Sequence, residues 1–327
     1  MVYRAMIRSA LDYGCLAYGA AAKTNLAALD RVQAKALRVC SGAFCTTPIP
    51  ALLVEMGEIP LGLRRRKLAL HYIAKLYGHD QAHPGKQLLE ECWELGGGET
   101  RCFVHKIKAE EEELGLSGVR RGTAVVWPSV PPWLLPNVEV DWTISERKRE
   151  KGRGEPDELV RERMQQEWAD HVQMYTDGSM DPNSKRVGFA VHIPSLQITQ
   201  SRRLPNGVSV FTSEMVALIW AVNWVEEVRP QQAIICSDSA AALMALQGGR
   251  SQVRPDLVCE LLTALYRINQ TGIRVEFMWV PAHVGVEGNE AADVAAKEAL
   301  SREEVDVGIA LGISEYRSMI KEELNRR

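Results

Sequence analysis

The C-terminal half of the chain alternates between the hydrophobic period of strands and that of helices. A polar–apolar alternation or a short apolar run is typical of a strand. Five segments show one of these patterns: 172–177, 187–193, 196–204, 233–236 and 273–280. The run at 233–236 is continuously apolar, which predicts a central strand buried on both faces. The Gly178-Ser179 pair that follows the first segment predicts a turn.

Helical spacing separates these strands. Met215, Leu218, Ile219, Val222 and Val225 fall on one face of a predicted helix, and we expect Thr212 or Ser213 to cap it. Further helices are predicted at 240–247, at 255–269 and from an Asn289 cap to Leu300. Three strands are thus followed by helix, strand, two helices, strand and helix, which predicts a mixed α/β layered fold with a five-stranded sheet.

The first 78 residues have a purely helical pattern. Thr24 or Asn25 is the expected cap of a first helix that Gly42 ends. A short second helix is predicted at 48–56, and a third follows Pro60. Residues 1–78 therefore predict a small α-helical segment.

Residues 79–170 lack a clear period. They contain Gly96-Gly97-Gly98, an acidic run at 110–113, a Pro/Trp tract at 127–136 and dense mixed charge from 146 onward. Such composition favours loop, solvated helix or partial disorder. The predicted organisation is a helical segment at 1–78, a partly disordered linker at 79–170, an α/β domain at 171–301 and a C-terminal helical tail at 302–327.

The composition excludes several classes of protein. The chain is 46% hydrophobic and 25% charged, which is ordinary for a protein with a buried core. It has no run of 18 apolar residues, so we expect no membrane-spanning helix. Seven cysteines without a Cys-x-x-Cys pair argue against a disulfide framework or a zinc finger, and favour a reducing intracellular compartment.

The charge is unevenly distributed. Residues 1–78 hold 11 Lys and Arg against four Asp and Glu, a net charge of +7, whereas the whole chain carries −3. The cluster Arg64, Arg65, Arg66 and Lys67 is compatible with a phosphate-backbone partner. The alternative is a solvated helix face, which is the commoner meaning of such a cluster.

Four carboxylates occupy special positions in the predicted order of elements. Asp177 ends the first strand, Asp238 ends the fourth, and Glu214 and Asp293 lie in the first turns of two helices. Each alone has an ordinary explanation as a turn, cap or helix-start acid. If the first and fourth strands are neighbours, however, their carboxyl ends converge and the two helix starts can lie over them.

Four carboxylates in one place would repel each other and raise each other's pKa. They stay ionised only with cations between them, and hard oxygen ligands favour Mg²⁺ or Mn²⁺. Two such ions about 4 Å apart can activate a water and stabilise the leaving oxygen of a phosphodiester.

These residues lie in motifs that resemble a family. Over about 172–300 the chain resembles a type 1 ribonuclease H domain, through four segments: Tyr175-Thr-Asp177-Gly-Ser179, Thr212-Ser-Glu214-Met-Val-Ala-Leu218, Ser237-Asp238-Ser239 and Trp279-Val-Pro-Ala-His283-Val-Gly-Val-Glu-Gly-Asn289-Glu-Ala-Ala-Asp293. The resemblance implies a ribonuclease H-like fold. It also implies hydrolysis of the RNA strand of an RNA–DNA hybrid, with 3′-hydroxyl and 5′-phosphate ends.

The resemblance also assigns roles to residues. Asp177, Glu214, Asp238 and Asp293 match the family's metal-binding catalytic carboxylates, which implies two Mg²⁺ ions, replaceable by Mn²⁺. His283 matches a mobile-loop histidine that moves protons and helps product leave, a role suited to an imidazole. Gly178 and Ser179, with the Glu214 side chain, are candidates for sensing the 2′-hydroxyl. Ser239 and Asn289 are further candidates for substrate binding.

The N-terminal part resembles another element. Leu11-Asp12-Tyr13-Gly14-Cys15, Pro60-Leu61 with the basic cluster, and Pro131-Pro132-Trp133 resemble the region after the reverse transcriptase palm of non-LTR retrotransposon polyproteins. No Tyr-x-Asp-Asp polymerase motif is present. The life cycle of such elements favours the nucleus.

The chain departs from the family in a region that binds the substrate. Many members carry a basic protrusion, where this chain has only Arg250 and Arg254 between two helices, in a domain of charge −3. We expect the domain alone to bind the hybrid weakly. We therefore expect the basic N-terminal segment to supply phosphate contacts.

Two other functions compete with the nuclease. A retroelement-derived fragment could bind nucleic acid or a protein without cutting, although a decayed site would be expected to lose some of its four acids. A transposase or integrase of the same broad fold would use three acids and lack the Pro-Ala-His283-Val-Gly loop. The sequence identifies no protein partner.

Overall fold

The computed structural model describes residues 2–94, 103–122, 129–145 and 156–326. Contacts divide the chain into two compact units. One consists of Met1–Val119 with Tyr316–Arg327, and the other is Arg120–Glu315. These boundaries differ from the predicted ones at 78, 170 and 301, because residues on both sides of the predicted α/β domain pack against it.

The first unit is helical, as predicted for its first 78 residues. After a π-helical turn at Tyr3–Arg8, its helices are α1 (Ser9–Asp12), α2 (Cys15–Tyr18), α3 (Lys23–Ser41), α4 (Ile49–Glu55), α5 (Leu61–Tyr77), α6 (Pro84–Glu94) and α7 (Phe103–Glu113). Gly42 ends α3 with a φ of +69°, as expected of a C-terminal glycine. The predicted cap at Thr24 or Asn25 is wrong, because α3 begins at Lys23 after Ala22 and has no side-chain cap.

The predicted linker contains ordered elements. Helices α6 and α7 belong to it, as do the strand β1 (Val140–Asp141) and the helix α8 (Pro156–Glu167). Their apolar residues were too few and too interrupted by charge to give a clear period. Gly96-Gly97-Gly98, the start of the Pro/Trp tract and the charged stretch 146–155 lie outside the described residues.

The second unit is built on a mixed sheet. Its remaining strands are β2 (Val172–Met180), β3 (Val187–Ile193), β4 (Ile198–Leu204), β5 (Gln232–Ser237) and β6 (Arg274–Trp279). Their order is β1-β6-β5-β2-β3-β4. Strands β2 and β5 are parallel neighbours, as the position of the carboxylates required, and β3 and β4 add antiparallel. The sheet has six strands where five were predicted, because β1 pairs with the outer edge of β6.

Besides α8, this unit contains four helices in the predicted order, namely α9 (Val210–Val228), α10 (Ala240–Gln247), α11 (Pro255–Asn269) and α12 (Glu287–Ala299). The last helix, α13 (Ile313–Asn325), starts in this unit, and its residues from Tyr316 on belong to the first. Two predicted caps are wrong. Ser209, and not Thr212 or Ser213, caps α9, and α12 starts after Val286 with no side-chain cap, so Asn289 lies inside it.

The two faces of the sheet bury separate cores. Met174 and Ile235 point to the face covered by α9 and α11, while Tyr175 and Cys236, one residue further along, point to the face covered by α8 and α12. This is the alternation of a strand. The ends of β2 and β5 are thus fixed between two packed layers, and the carboxylates follow there.

Candidate active site

Asp177 and Asp238 occupy equivalent positions on neighbouring strands. The parallel ladder between β2 and β5 ends with the pair Thr176 and Ser237. Asp177 is the next residue of β2, and Asp238 is the first residue after β5. Both carboxylates therefore leave the sheet where the two strands part, and the predicted convergence is confirmed.

Strand β2 does not end at Asp177, so the predicted turn at Gly178-Ser179 is wrong. Asp177 pairs with Ala190 of β3, Gly178 with Phe189 and Ser179 with Gly188. The antiparallel ladder with β3 thus carries β2 onward to Met180 after β5 has ended. Short-range polarity indicated a turn, but the partner strand keeps this stretch extended.

Glu214 reaches the same place from helix α9. It is the fifth residue of that helix, not in its first turn as predicted, because α9 starts at Val210. Gly178 permits the approach: a Cβ atom there would lie 2.6 Å from the backbone N of Glu214 and 2.5 Å from Oγ of Ser213. The backbone N–H of Gly178 lowers the pKa of both Asp177 and Glu214, against the effect of burial.

These three side chains form a carboxylate cluster. Asp177, Glu214 and Asp238 can each place one oxygen within 4.8 Å of the other two. Asp177 and Glu214 are each only 6% exposed. Burial, followed by the charges of Asp238 and Asp293, raises the pKa of Asp177 to about 7. Burial also raises the pKa of Glu214 and of Asp238.

The cluster fits a hard divalent cation. Oε2 of Glu214 is buried and has no hydrogen-bond partner among the described residues. Buried carboxylate oxygens that lack a partner are unfavourable unless a cation or a proton satisfies them. Carboxylates of this kind are the preferred ligands of Mg²⁺ and Mn²⁺.

The fourth predicted carboxylate lies beside the cluster rather than within it. Asp293 is the seventh residue of α12, not in its first turn, and it is absent from the three-carboxylate group. Its Oδ2 accepts a 2.8 Å hydrogen bond from Nζ of Lys297 and lies 3.8 Å from Nδ1 of His283. Its charge still acts on the cluster, because it raises the pKa of Asp177 and of Asp238.

His283 lies on an exposed loop between β6 and α12. Its side chain is 69% exposed, and its backbone has a φ of +54°. Histidine is among the non-glycine residues that tolerate this left-handed conformation. The imidazole is thus solvent-accessible yet next to Asp293, and it lowers the pKa of Asp238.

The predicted substrate-binding residues differ in their burial and in their hydrogen-bond partners. Asn289 is buried, and its Nδ2 donates a 3.2 Å hydrogen bond to Oδ2 of Asp238. Ser239 caps α10 by accepting from the backbone N of Ala242. Gly178 lies inside β2 against α9, and Ser179 is half-buried in the same strand. Asn289 and Ser239 thus each have a partner inside the protein.

Two contacts at the site were not predicted from the sequence. Lys297 pairs with Asp293 four residues before it, a helical spacing that could have revealed the pair. The indole Nε1 of Trp279 donates a 3.1 Å hydrogen bond to the carbonyl O of Asp238. No local sequence signal indicates that contact, since it joins two strands.

The comparison with known families agrees with this geometry. Residues 169–301 match the family model described as RNase H, so the chain contains an RNase H domain over that range. Such domains act on RNA–DNA hybrids and in general use divalent metal ions. The match covers less than half of the chain. No curated protein matches it.

The described residues include no helix long and apolar enough to cross a membrane.

Proposed function

We propose that this protein cleaves the RNA strand of RNA–DNA hybrids by two-metal-ion hydrolysis, leaving 3′-hydroxyl and 5′-phosphate ends. The observation that carries the proposal is the buried cluster of Asp177, Glu214 and Asp238 inside the matched domain. Structural acids are rarely buried together without cationic partners. Divalent ions bound between the three carboxylates would compensate for the unfavourable burial of their charges.

The proposed metal ligands are Asp177, Glu214, Asp238 and Asp293. Asp177 interacts with the other three by charge: Asp238 and Asp293 raise the pKa of Asp177, and Asp177 raises the pKa of Glu214. Two bound Mg²⁺ ions, or Mn²⁺, would supply an activated water and stabilise the leaving oxygen.

Other residues of the site have supporting roles in this proposal. The Asn289 side chain orients Asp238 by a hydrogen bond, and the Gly178 amide lowers the pKa of Asp177 and Glu214. His283, exposed and 3.8 Å from Asp293, can carry protons between the site and solvent. Gly178 and Ser179 are proposed to sense the 2′-hydroxyl, and Ser239 and Asn289 to lie close to the hybrid.

The test is cleavage of labelled nucleic acids by the full chain. We expect cleavage of an RNA–DNA hybrid with Mg²⁺, no cleavage with chelator, and none of double- or single-stranded RNA. Asp177→Asn should abolish activity, since it removes a ligand charge. His283→Ala should slow the reaction by about 100-fold or more without abolishing it.

Two results would contradict the proposal. Activity of Asp177→Asn at the wild-type rate would indicate a contaminating nuclease. A wild-type chain that binds the hybrid without cutting it would favour the alternative, a catalytically silent retroelement-derived binding fragment.

We also propose that the chain derives from a non-LTR retrotransposon polyprotein, with a post-palm remnant at 1–78, a linker at 79–170, the nuclease at 171–301 and a helical tail at 302–327. The support is the set of sequence resemblances beside the RNase H match. An intracellular, nuclear location follows only from that origin.

The basic cluster on α5 is the proposed source of phosphate contacts. Arg64 pairs with Asp12, and Arg66 pairs with Glu110 and Glu113 in the same unit. Nη1 of Arg65 is buried and lies 4.0 Å from Oδ1 of Asp30, too far for a hydrogen bond, so Arg65 has no strong partner to give up but has to turn outward to reach a phosphate. Arg65 and Lys67 are therefore the proposed contacts.

This part of the proposal predicts a salt effect. Arg65→Gln/Lys67→Gln, introduced with Asp177→Asn to prevent cleavage, should reduce the dependence of log affinity for the hybrid on log salt by about 2, one for each lost phosphate contact. Equal slopes with and without the double substitution would show that the cluster does not contact the hybrid.

A further inference from the structure

The residues after the matched domain form a strap along the second unit. We use this name for residues 302–315. The strap first pairs with the outer edge of β4: the backbone N of Arg203 donates to Oδ2 of Asp306 at 2.7 Å, and the backbone N of Asp306 donates to the carbonyl of Arg203 at 3.0 Å. Further along, the backbone N of Leu311 donates to the carbonyl of Arg120. The strap is therefore bonded into this unit at successive points.

The strap ends with Glu315 at the N-terminus of α9. Oε1 of Glu315 accepts hydrogen bonds from the backbone N of Ser209 at 2.7 Å, from Oγ of Ser209 at 2.6 Å and from Oγ1 of Thr212 at 2.6 Å. Its Oε2 accepts one from the backbone N of Gly312 at 2.7 Å. Glu315 and Thr212 are both buried.

A buried arginine balances the charge of Glu315. Arg254 is 1% exposed, and its Nη1 donates to Oγ1 of Thr212 at 3.1 Å and to Oε2 of Glu315 at 3.3 Å. Its Nη2 donates to Oδ2 of Asp256 at 2.6 Å. A buried ion pair with all its hydrogen bonds made favours one arrangement, and loss of one partner leaves a buried charge uncompensated.

Glu315 supplies what α9 itself lacks. The first turn of α9 contains no acidic residue, although a helix N-terminus favours a negative charge. The carboxylate of Glu315 occupies that place. Thr212, which it holds, is two residues before Glu214 on the same fully buried helical turn.

We propose that Glu315 is a positioning residue for Glu214, so that the strap is a working part of the nuclease. By fixing the first turn of α9, Glu315 holds Glu214 against Gly178 and within reach of Asp177 and Asp238. This inference rests on the proposed function, because it gives Glu214 the role of metal ligand. Glu315 touches neither substrate nor metal in this proposal.

The experiment compares Glu315→Gln with Glu323→Gln in the full chain. Glu323 lies on the same helix, α13, and pairs with Arg326 near its end, so it is a matched control. For each protein the Mg²⁺ midpoint is measured twice, as the rise in Tm without nucleic acid and as the rate of hybrid cleavage. Residues bonded directly to a metal ligand change affinity by roughly 10- to 100-fold, so we expect a more distant residue to raise the midpoint about three- to tenfold.

The outcomes separate the two proposals. If Mg²⁺ raises the Tm of neither wild type nor variant, the proposed metal site itself is wrong. If Mg²⁺ stabilises wild type and Glu315→Gln has the same midpoint and kcat, with only a lower Tm, the positioning role is overturned. Faster cleavage by Glu315→Gln would overturn it too, since the strap would then be inhibitory.

A second variant covers the case in which Glu315→Gln does not fold. Thr212→Val removes one donor to Glu315 and keeps both bonds from Ser209 and the side-chain cap of α9. It should raise the Mg²⁺ midpoint by a smaller factor, roughly two- to threefold, with kcat reduced and KM for the hybrid unchanged. An unchanged midpoint and kcat in Thr212→Val would count against the proposal.

Discussion

Asn289 and Asp238 are joined across the site by a hydrogen bond from a side-chain amide to a carboxylate. The Nδ2–Oδ2 distance is 3.2 Å, and Asn289 is buried. The bond lowers the pKa of Asp238 against the effect of burial, which raises it. Asn289 therefore favours the ionised form of Asp238 and orients it, although its motif first suggested contact with substrate.

Substitution of Asn289 should impair catalysis. Asn289→Ala removes the donor, so we expect hybrid cleavage to fall by about 10- to 100-fold with a higher Mg²⁺ requirement. Steady-state kinetics at several Mg²⁺ concentrations measure this. Glu298→Gln, an exposed position on the same helix, is the control. If Asn289→Ala raised only KM for the hybrid, the residue would be a substrate contact instead.

The charge of the cluster predicts a pH-dependent stability. The pKa of Asp177 is raised from 3.8 to about 7 by burial and by its acidic neighbours. Between these values the folded protein holds a proton that the unfolded chain has lost, so stability falls as pH rises from about 4 to 7. In chelator, Asp177→Asn should therefore raise Tm at pH 8, by roughly 2–6 °C, and have little effect at pH 4.

Divalent ions should remove that difference. Mg²⁺ at pH 8 neutralises the cluster of the wild type, so the wild-type Tm should rise, and that of Asp177→Asn should rise less. The measurement is thermal unfolding at both pH values with and without Mg²⁺. An equal effect of Asp177→Asn at pH 4 and pH 8 would show that repulsion in the cluster does not limit stability.

Lys297 should set the acidic limit of activity. Its ammonium group hydrogen-bonds Asp293 at 2.8 Å and lowers the pKa of Asp177. Lys297→Met should therefore move the acidic limb of the pH–rate profile for hybrid cleavage to higher pH, by less than about one unit because Lys297 is half-exposed. Lys297→Arg keeps the charge and should leave the limb in place. A limb that moves equally in both variants would point to packing rather than charge.

Gly178 should tolerate no side chain. A Cβ atom would lie 2.6 Å from the backbone N and 2.9 Å from the backbone C of residues on α9, which cannot rotate away. Gly178→Ala should cost about 1–3 kcal/mol of unfolding free energy. It should also slow hybrid cleavage by about 100-fold, because Glu214 is displaced. Gly62→Ala, where a Cβ meets no atom within 4 Å, should do neither.

The sequence predicts well what local patterns determine. Periods of two and 3.6 predicted β2 to β6 and α9 to α12, and Asp177 and Asp238 were expected to converge on the condition, met here, that β2 and β5 are neighbours. The exact ends of the strands and helices depend on contacts with residues that are distant in the chain. The pairing with β3 extends β2 through Gly178 and Ser179, and the true start of α12 moves Asp293 a turn away from the helix end.

The sequence could not predict the additions to the sheet and to α9. Strand β1 has only two residues, and its pairing with β6 depends on the position of a distant edge. Glu315 resembles any other acid near a helix start. Its bonds to Ser209, Thr212 and Arg254 exist only because the strap brings it to them.

The bonds between Arg203 and Asp306 have a consequence for any shortened form of the protein. Both backbone groups of Arg203 are occupied by the strap on the side away from β3. A chain cut at residue 301 would expose them at an open strand edge, the kind of surface on which strands of other molecules add. Self-association would then lower the measured nuclease activity of the fragment. Precipitation of a fragment that ends at residue 301 is therefore no evidence against the proposed activity of the full chain.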